Sequence, residues 1–289
     1  MENKIYFISS DIHSFFDEWQ LALKENGFDI ENPNHIIVVC GDIFDRGTKP
    51  LEVYEFLRAL PKERRILIRG NHELLLEDLV RRGYAEKHDK HNGTIDTLYY
   101  LAGLPSEEEH IHNYYKDTFM FEYGSPEHTQ AGNKYFCERK KIWKGKVLEI
   151  LEWIHGDEWI NYWETPNYIF VHSWIPVCEH YEFDKWGFSK KTQEDTYRED
   201  WRNATDTEWG DAMWGCPWLK AYLKLNQTGK TIVCGHWHTS DFFNHLTNEH
   251  KDIYDCPIFK SKKYKLIGLD ACTAGSGKVN CLVLKENEL

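Results

Sequence analysis

The chain has 289 residues, 41% of them hydrophobic and 15% aromatic, including 12 tryptophans, 16 tyrosines and 15 phenylalanines. That much ring surface excludes a disordered chain and supplies the core of one large domain. With 35 lysines and arginines against 47 aspartates and glutamates the net charge is −12, which disfavours non-specific binding to nucleic acid or to an anionic membrane surface.

In chain order, six short apolar or β-branched runs read as buried strands: Ile5 to Ser9, Ile36 to Cys40, Arg65 to Ile68, Tyr168 to Val171, Thr231 to Cys234 and Leu266 to Leu269. Helical stripes separate the early ones, first Leu51, Tyr54, Phe56 and Leu57, then Leu74, Leu75, Leu79 and Val80. Alternation of strand and helix predicts an α/β fold. From about 84 to 163 the pattern is mostly helical: Thr94 can cap a helix carrying Ile95, Leu98, Tyr99 and Ala102, and Val147, Leu148, Leu151 and Ile154 mark another. Between them, the charged stretch from Ser106 to Asn133 is expected to be loop or a small excursion. The region 178–228 is aromatic and polar, with short helices at best. No linker or repeat divides the chain, so 1–289 is expected to be a single domain with two insertions, 84–163 and 178–228.

No stretch reaches the roughly 18 apolar residues of a membrane span, and Met1 to Lys4 leads directly into a strand, so a cytoplasmic location is expected. The eight cysteines show no C-x-x-C spacing and are expected to be reduced thiols in or near the core.

The residues just past the strand ends carry chemistry. The first strand leads into Asp11-Ile12-His13, the second into Gly41-Asp42-Ile43-Phe44-Asp45-Arg46-Gly47, and the third into Gly70-Asn71-His72-Glu73. The fourth leads into His172, the fifth into Gly235-His236-Trp237-His238, and the sixth into Asp270. In a mostly parallel sheet the carboxyl ends of the strands share one edge, where ligands bind. Asp, His and Asn without thiolate suit two open-site divalent ions, Mn²⁺ with Fe or Zn²⁺ as alternatives, bridged by Asp42 and clamping the oxygens of an in-line phosphoryl displacement. A lone D-x-H is common by chance; the joint order after successive strands is not.

With D-x-H, G-D-x-x-D, G-N-H-E, H and G-H-x-H all present, the chain resembles the calcineurin-like metallophosphoesterases. The blocks at 41–47 and 69–73 look like the phosphoprotein phosphatase branch, which includes phage-type Ser/Thr phosphatases and symmetrical diadenosine tetraphosphatases. His91-Asn92-Gly93-Thr94 also looks like that end of the branch, and reads equally as a plain helix cap. The resemblance implies central mixed β-sheets flanked by helices, with the active site at the strand C-terminal ends. It implies Asp11, His13 and Asp42 on one metal and Asp42, Asn71, His172 and His236 on the other. It also implies His72 as general acid oriented by Asp45, and Arg46 on the phosphate beside Asn71 and His72.

The chain departs from that pattern in three places. Ser10 and Ser14 stand where the branch has glycine. No arginine lies between Asn203 and His236, so Arg198 or Arg202 must replace a second phosphate-binding arginine or none does. His238 adds a histidine that the branch generally lacks, and it is expected to join the first metal. The expected function is a dinuclear phosphatase acting on a phosphorylated protein or small phosphate monoester. The alternative is a dinucleoside polyphosphate or phosphodiester hydrolase, with tryptophans between 186 and 218 stacking a base; a non-catalytic scaffold is disfavoured because every motif residue is in place.

Overall fold

The computed structural model describes residues 4–142, 144–183, 189–191 and 193–289. The strands, in chain order, are β1 (Ile5–Ser9), β2 (His35–Cys40), β3 (Arg65–Ile68), β4 (Trp159–Ile160), β5 (Tyr162–Glu164), β6 (Tyr168–Val171), β7 (Val177–Cys178), β8 (Tyr181–Phe183), β9 (Ser189–Lys191), β10 (Thr196–Tyr197), β11 (Thr231–Cys234), β12 (Phe259–Ser261), β13 (Leu266–Gly268) and β14 (Leu282–Lys285). One sheet runs β14-β1-β2-β3-β4 and a second runs β12-β13-β11-β6-β5, while β7 with β10 and β8 with β9 form two small ribbons. β1 to β4 are parallel and β14 is antiparallel to β1. β11 is parallel to β6 and β13, with β5 and β12 antiparallel at the edges. Both sheets are therefore mixed.

Side chains alternate along these strands, as the two-residue period requires. Tyr6, Ile8, Ile36, Val38, Cys40 and Ile68 of the first sheet meet Phe170, Val233 and Ile267 of the second in an inner core between the sheets. The opposite set, Phe7, Ile37, Val39 and Leu67, faces helices. Those helices are α1 (Phe16–Glu25), α2 (Pro50–Ala59), α3 (Asn71–Arg82), α4 (Lys87–Asn92), α5 (Thr94–Leu101), α6 (Glu107–Phe119), α7 (Pro126–Ile142) and α8 (Lys146–His155). The second sheet's outer face, with Ile169, Val171 and Ile232, packs on α9 (Asp206–Met213), α10 (Pro217–Tyr222) and α11 (Thr239–Leu246) through Trp209, Ala221 and Phe242. A short α12 (Thr273–Ser276) precedes β14. Two sheets are thus sandwiched between helical layers.

Three local expectations need correction. The segment 106–133 is mostly helical rather than loop, with a break at 120–125: Ser106 caps α6 by accepting the Glu109 N–H, and Glu107 to Glu109 fill the first turn. α7 then pairs with α6 where the Tyr135 ring meets Tyr114 and His110. Charge on the outer faces hides that contact from a hydrophobic pattern. Thr94 is the first residue of α5 and not its cap, which is Gly93 in a left-handed turn. All eight cysteines are free, but Cys137 and Cys178 are exposed. No helix among the described residues is long and apolar enough to cross a membrane.

Candidate metal centre

The loops leaving β1, β2, β3, β6 and β11 meet at one end of the sandwich because all five strands point the same way in their sheets. Inter-strand bonding continues past the strand ends: Asp11 N–H donates to Gly41 O (3.2 Å), His13 N–H to Asp42 O (2.9 Å) and Ser14 N–H to Ile43 O (2.8 Å). The backbone there is left-handed at Asp11, His13, Asp42, Asp45, Arg46 and His236. Non-glycine residues adopt that conformation at a cost of about 1–2 kcal/mol each, and such strain clusters at functional sites.

Two groups of donors share Asp42: His13 with His72, and His172 with His236. The sharing is resolved by atom. Asp42 Oδ1 lies 3.4 Å from His172 Nε2, whereas Oδ2 lies 3.8 Å from both His13 Nε2 and His72 Nε2. Around the first group, Asp11 Oδ1 is 4.0 Å from His13 Nε2. Around the second, Asn71 Oδ1 and His236 Nδ1 lie 2.8 and 3.2 Å from His172 Nε2. Carbonyls aim two of the rings: His13 Nδ1 bonds Phe44 O and His172 Nδ1 bonds Cys40 O, each at 2.9 Å, leaving Nε2 to face inward.

Close approach also fixes two glycines. A Cβ on Gly70 would sit 2.2 Å from Asp42 Oδ1, and one on Gly235 would sit 1.9 Å from Asp11 Oδ2. Gly235 lets the two sheets' loops touch, so that Asp11 accepts the His236 N–H at 2.9 Å. Ser10, one of the departures, puts its hydroxyl 2.6 Å from Asp11 Oδ2.

The donor chemistry fits divalent cations. Asp11, Asp42, Asp45, Glu73 and Asp270 are all at most 3% exposed, and buried anions this close require compensating positive charge. Burial, with Asp42 adding to it, pushes the Asp11 carboxyl up to about 6, and burial likewise raises Asp42. Burial holds His13 well below its ordinary value, with Arg46 and His72 adding to it, and lowers His172. His236 is pulled down to about 2 by burial and then by His172 and His72. Neutral imidazoles beside crowded carboxylates are the state a cation selects.

His72 behaves differently. Burial pulls its imidazole down, but the charge of Asp42 and the Asp45 hydrogen bond outweigh that and raise it to about 9. Its Nδ1 lies 2.7 Å from Asp45 Oδ2, which also accepts from the Thr94 hydroxyl at 2.7 Å. The Asp45 N–H donates to Thr97 Oγ1 at 3.0 Å. In the segment 91–94 Gly93 is thus a helix cap, and Thr94, with Thr97, clamps Asp45.

Among the other residues singled out by the sequence, Arg46 is exposed at the rim, and Asn71 and His72 occupy the first turn of α3. Arg202 is bound to Glu164 through Nε and Nη2 at 2.8 and 2.5 Å, and Arg198 to Asp200 and Glu208 at 2.9 and 2.5 Å. His238 belongs to neither donor group; it caps α11 and its charge bears on Asp270. Burial and then Asp11 raise Asp270 to about 8, and His238 opposes them. The motif pattern assigns Glu73 no role, yet its buried carboxylate accepts the N–H groups of Asp42 (3.0 Å), Ile43 (2.9 Å) and Gly70 (2.8 Å). The available signal was an acid three residues into a helix opened by glycine. Of the tryptophans considered for stacking, Trp201 and Trp209 are buried core residues, and Trp186 lies outside the described residues.

The family model described as calcineurin-like phosphoesterase matches residues 5–240. A bis(5'-nucleosyl)-tetraphosphatase, symmetrical, of Nitrosococcus oceani is 29% identical over 255 residues, covering 81% of this chain and 82% of its own. A protein of the same name from Actinobacillus pleuropneumoniae is 36% identical over 95 residues, 32% of each chain. Among solved structures, a cold-active protein tyrosine phosphatase superposes with a TM-score of 0.50 at 14% identity, covering 99% of this chain and 75% of that one, which shows a common fold.

Proposed function

We propose, from the premise that this chain belongs to the calcineurin-like phosphoesterases and is a metal-dependent phosphoesterase, that it hydrolyses the phosphoanhydride of a dinucleoside polyphosphate. This ranks above the phosphomonoesterase expected from the motifs. The observation that carries it is the alignment over four-fifths of both chains with a symmetrical bis(5'-nucleosyl)-tetraphosphatase. The same reading takes 1–289 as one catalytic domain.

In this reading two divalent ions, Mn²⁺ foremost, are held by Asp11, His13 and Asp42, and by Asp42, Asn71, His172 and His236, and His238, which stands outside both donor groups, would have to move to join the first. Bound there, such ions neutralise phosphate charge and acidify water. The protein's own groups do the rest. Arg46 offers its planar fork to non-bridging phosphate oxygens. His72, with Nδ1 committed to Asp45, carries a transferable proton on Nε2. With the Asp45 carboxylate on Nδ1 favouring the protonated ring, Nε2–H can neutralise the leaving oxygen as the P–O bond breaks. Attack by water on the central anhydride of a dinucleoside tetraphosphate then yields two nucleoside diphosphates.

The test is a Mn²⁺-replete panel of diadenosine tetraphosphate, p-nitrophenyl phosphate, bis(p-nitrophenyl) phosphate and a phosphopeptide. We expect kcat/KM for the dinucleotide to exceed that for each of the others about a hundredfold. A monoester or phosphopeptide preferred by the same margin would restore the phosphomonoesterase.

A further inference from the structure

Aromatic residues of the region 178–228 can serve as packing or as a base-stacking surface, and the structure separates the two by exposure. Trp201 and Trp209 are buried and Trp174 is 1% exposed, so they are core. Trp218 lies flat on His245, centroids 3.8 Å apart, and that face is covered. Trp214 is different: the residue is 52% exposed, while Trp174, Trp201 and Trp209 are withdrawn from solvent.

Its position is fixed from both sides. Trp214 closes α9, donating its N–H to Asp211 O at 3.1 Å, and the next carbonyl, Gly215 O, accepts from Ser173 Oγ at 2.8 Å, one residue after His172. The Trp214 and His236 rings meet perpendicularly, centroids 6.0 Å apart. An exposed indole is therefore anchored at the lip of the donor groups.

Ala212 and Gly215, close to Trp214 in the chain, join Trp174 in the wall of a cleft of about 390 Å³, and Trp214 itself stands outside that wall. That size lies within the range of small-molecule sites, about 300–1,000 Å³. Its cations are neutralised: Arg198 by Asp200 and Glu208, and Lys220 by Asp195. Glu179, Glu208 and Asp211 also line it. With its cations paired and acids in excess, this cleft suits an uncharged base and ribose and not a phosphate, which Arg46 and the metal centre attract instead.

Resting on the reading above, we propose that Trp214 and the adjoining cleft are the nucleoside subsite of this enzyme, the indole stacking on the base while the polyphosphate reaches the centre past His236. Base stacking on one aromatic ring changes affinity by about 5- to 150-fold.

The experiment is isothermal titration of Mn²⁺-loaded protein with ADP and, separately, with pyrophosphate, which has no base. In Trp214→Ala the ratio of ADP to pyrophosphate affinity should fall about 5- to 150-fold, and in Trp214→Phe it should stay within about threefold of wild type. An unchanged ratio in the alanine variant overturns the subsite. Equal losses for both ligands overturn it too, since Trp214 would then act only through His236. If the ratio falls as expected but wild-type protein does not hydrolyse diadenosine tetraphosphate, the subsite stands and the substrate reading fails.

Discussion

Glu73→Gln tests whether the loops that carry Asp42 and Asn71 are held by one buried carboxylate. Glu73 is 0% exposed, and its oxygens accept three backbone N–H groups. Burial and the Asp42 charge push its carboxyl up, while the N–H groups of Asp42 and Gly70 hold it down; three donors converging on two oxygens match the ionised form. A glutamine placed with its carbonyl where Oε2 stands keeps the Asp42 and Gly70 bonds but sets an NH₂ group against the Ile43 N–H. One buried donor left unmatched costs about 1–3 kcal/mol, and two bonds that lose charge assistance cost about 1 kcal/mol each, so about 3–5 kcal/mol in all. In a domain of this size that lowers Tm by about 5–8 °C. The Asp42 backbone also loosens, so Mn²⁺ affinity should fall about 10- to 100-fold. Urea and thermal denaturation measure the first effect, and Mn²⁺ titration of folded protein at low temperature measures the second. A variant with the wild-type urea midpoint and wild-type metal affinity would refute the idea that this carboxylate organises the centre.

Asp42→Asn, which removes the anion shared by both donor groups, should cost at least one metal ion per chain and most turnover; two ions retained by elemental analysis at wild-type rate would contradict the shared site. His72→Asn should lower kcat about 10²- to 10⁴-fold on an alkyl phosphate and far less on p-nitrophenyl phosphate, whose leaving group needs no proton, and equal losses would remove His72 as acid. Thr94→Val removes the hydroxyl on Asp45 Oδ2 with little change in volume, and kcat on the alkyl phosphate should fall about tenfold, in line with one buried hydrogen bond; no change would make Thr94 a bystander. For pH, the Glu158 carboxyl feels an upward push from burial, but Lys62 at 2.8 Å and Arg65 at 2.5 Å outweigh it and hold it down to about 2. A carboxylate depressed on folding stabilises fully above its ordinary value of 4.5 and loses that contribution as pH falls towards 2. Discounted for solvent screening, wild type should therefore exceed Glu158→Gln by about 1–2 kcal/mol at pH 7, with the gap closing between pH 4.5 and 2 in urea melts.

Much of this arrangement is local in origin and legible in the residues alone. Runs such as Ile36 to Cys40 are too short and too apolar to be anything but buried strand, and each carries its polar residues at its carboxyl end, so Asp11, His13, Asp42, Asn71, His172 and His236 can be placed on one edge from their order in the chain. Pairing of the sheets is not local. Which strands lie at the edges depends on contacts between residues hundreds of positions apart, as where β14 joins β1 through Tyr6 and Leu284. The α6–α7 pair is hidden because its contacts are a few rings between charged faces, too sparse to set a hydrophobic period. At the centre, sequence order supplies the residue types, while the split of Asp42 between two histidine groups, the grip of Glu73 on three N–H groups, the Thr94 clamp and the exposure of Trp214 arise only when loops from different strands converge. A hydrogen bond fixes a distance of about 3 Å between groups that the chain separates by tens or hundreds of residues, and no one-dimensional pattern encodes that distance.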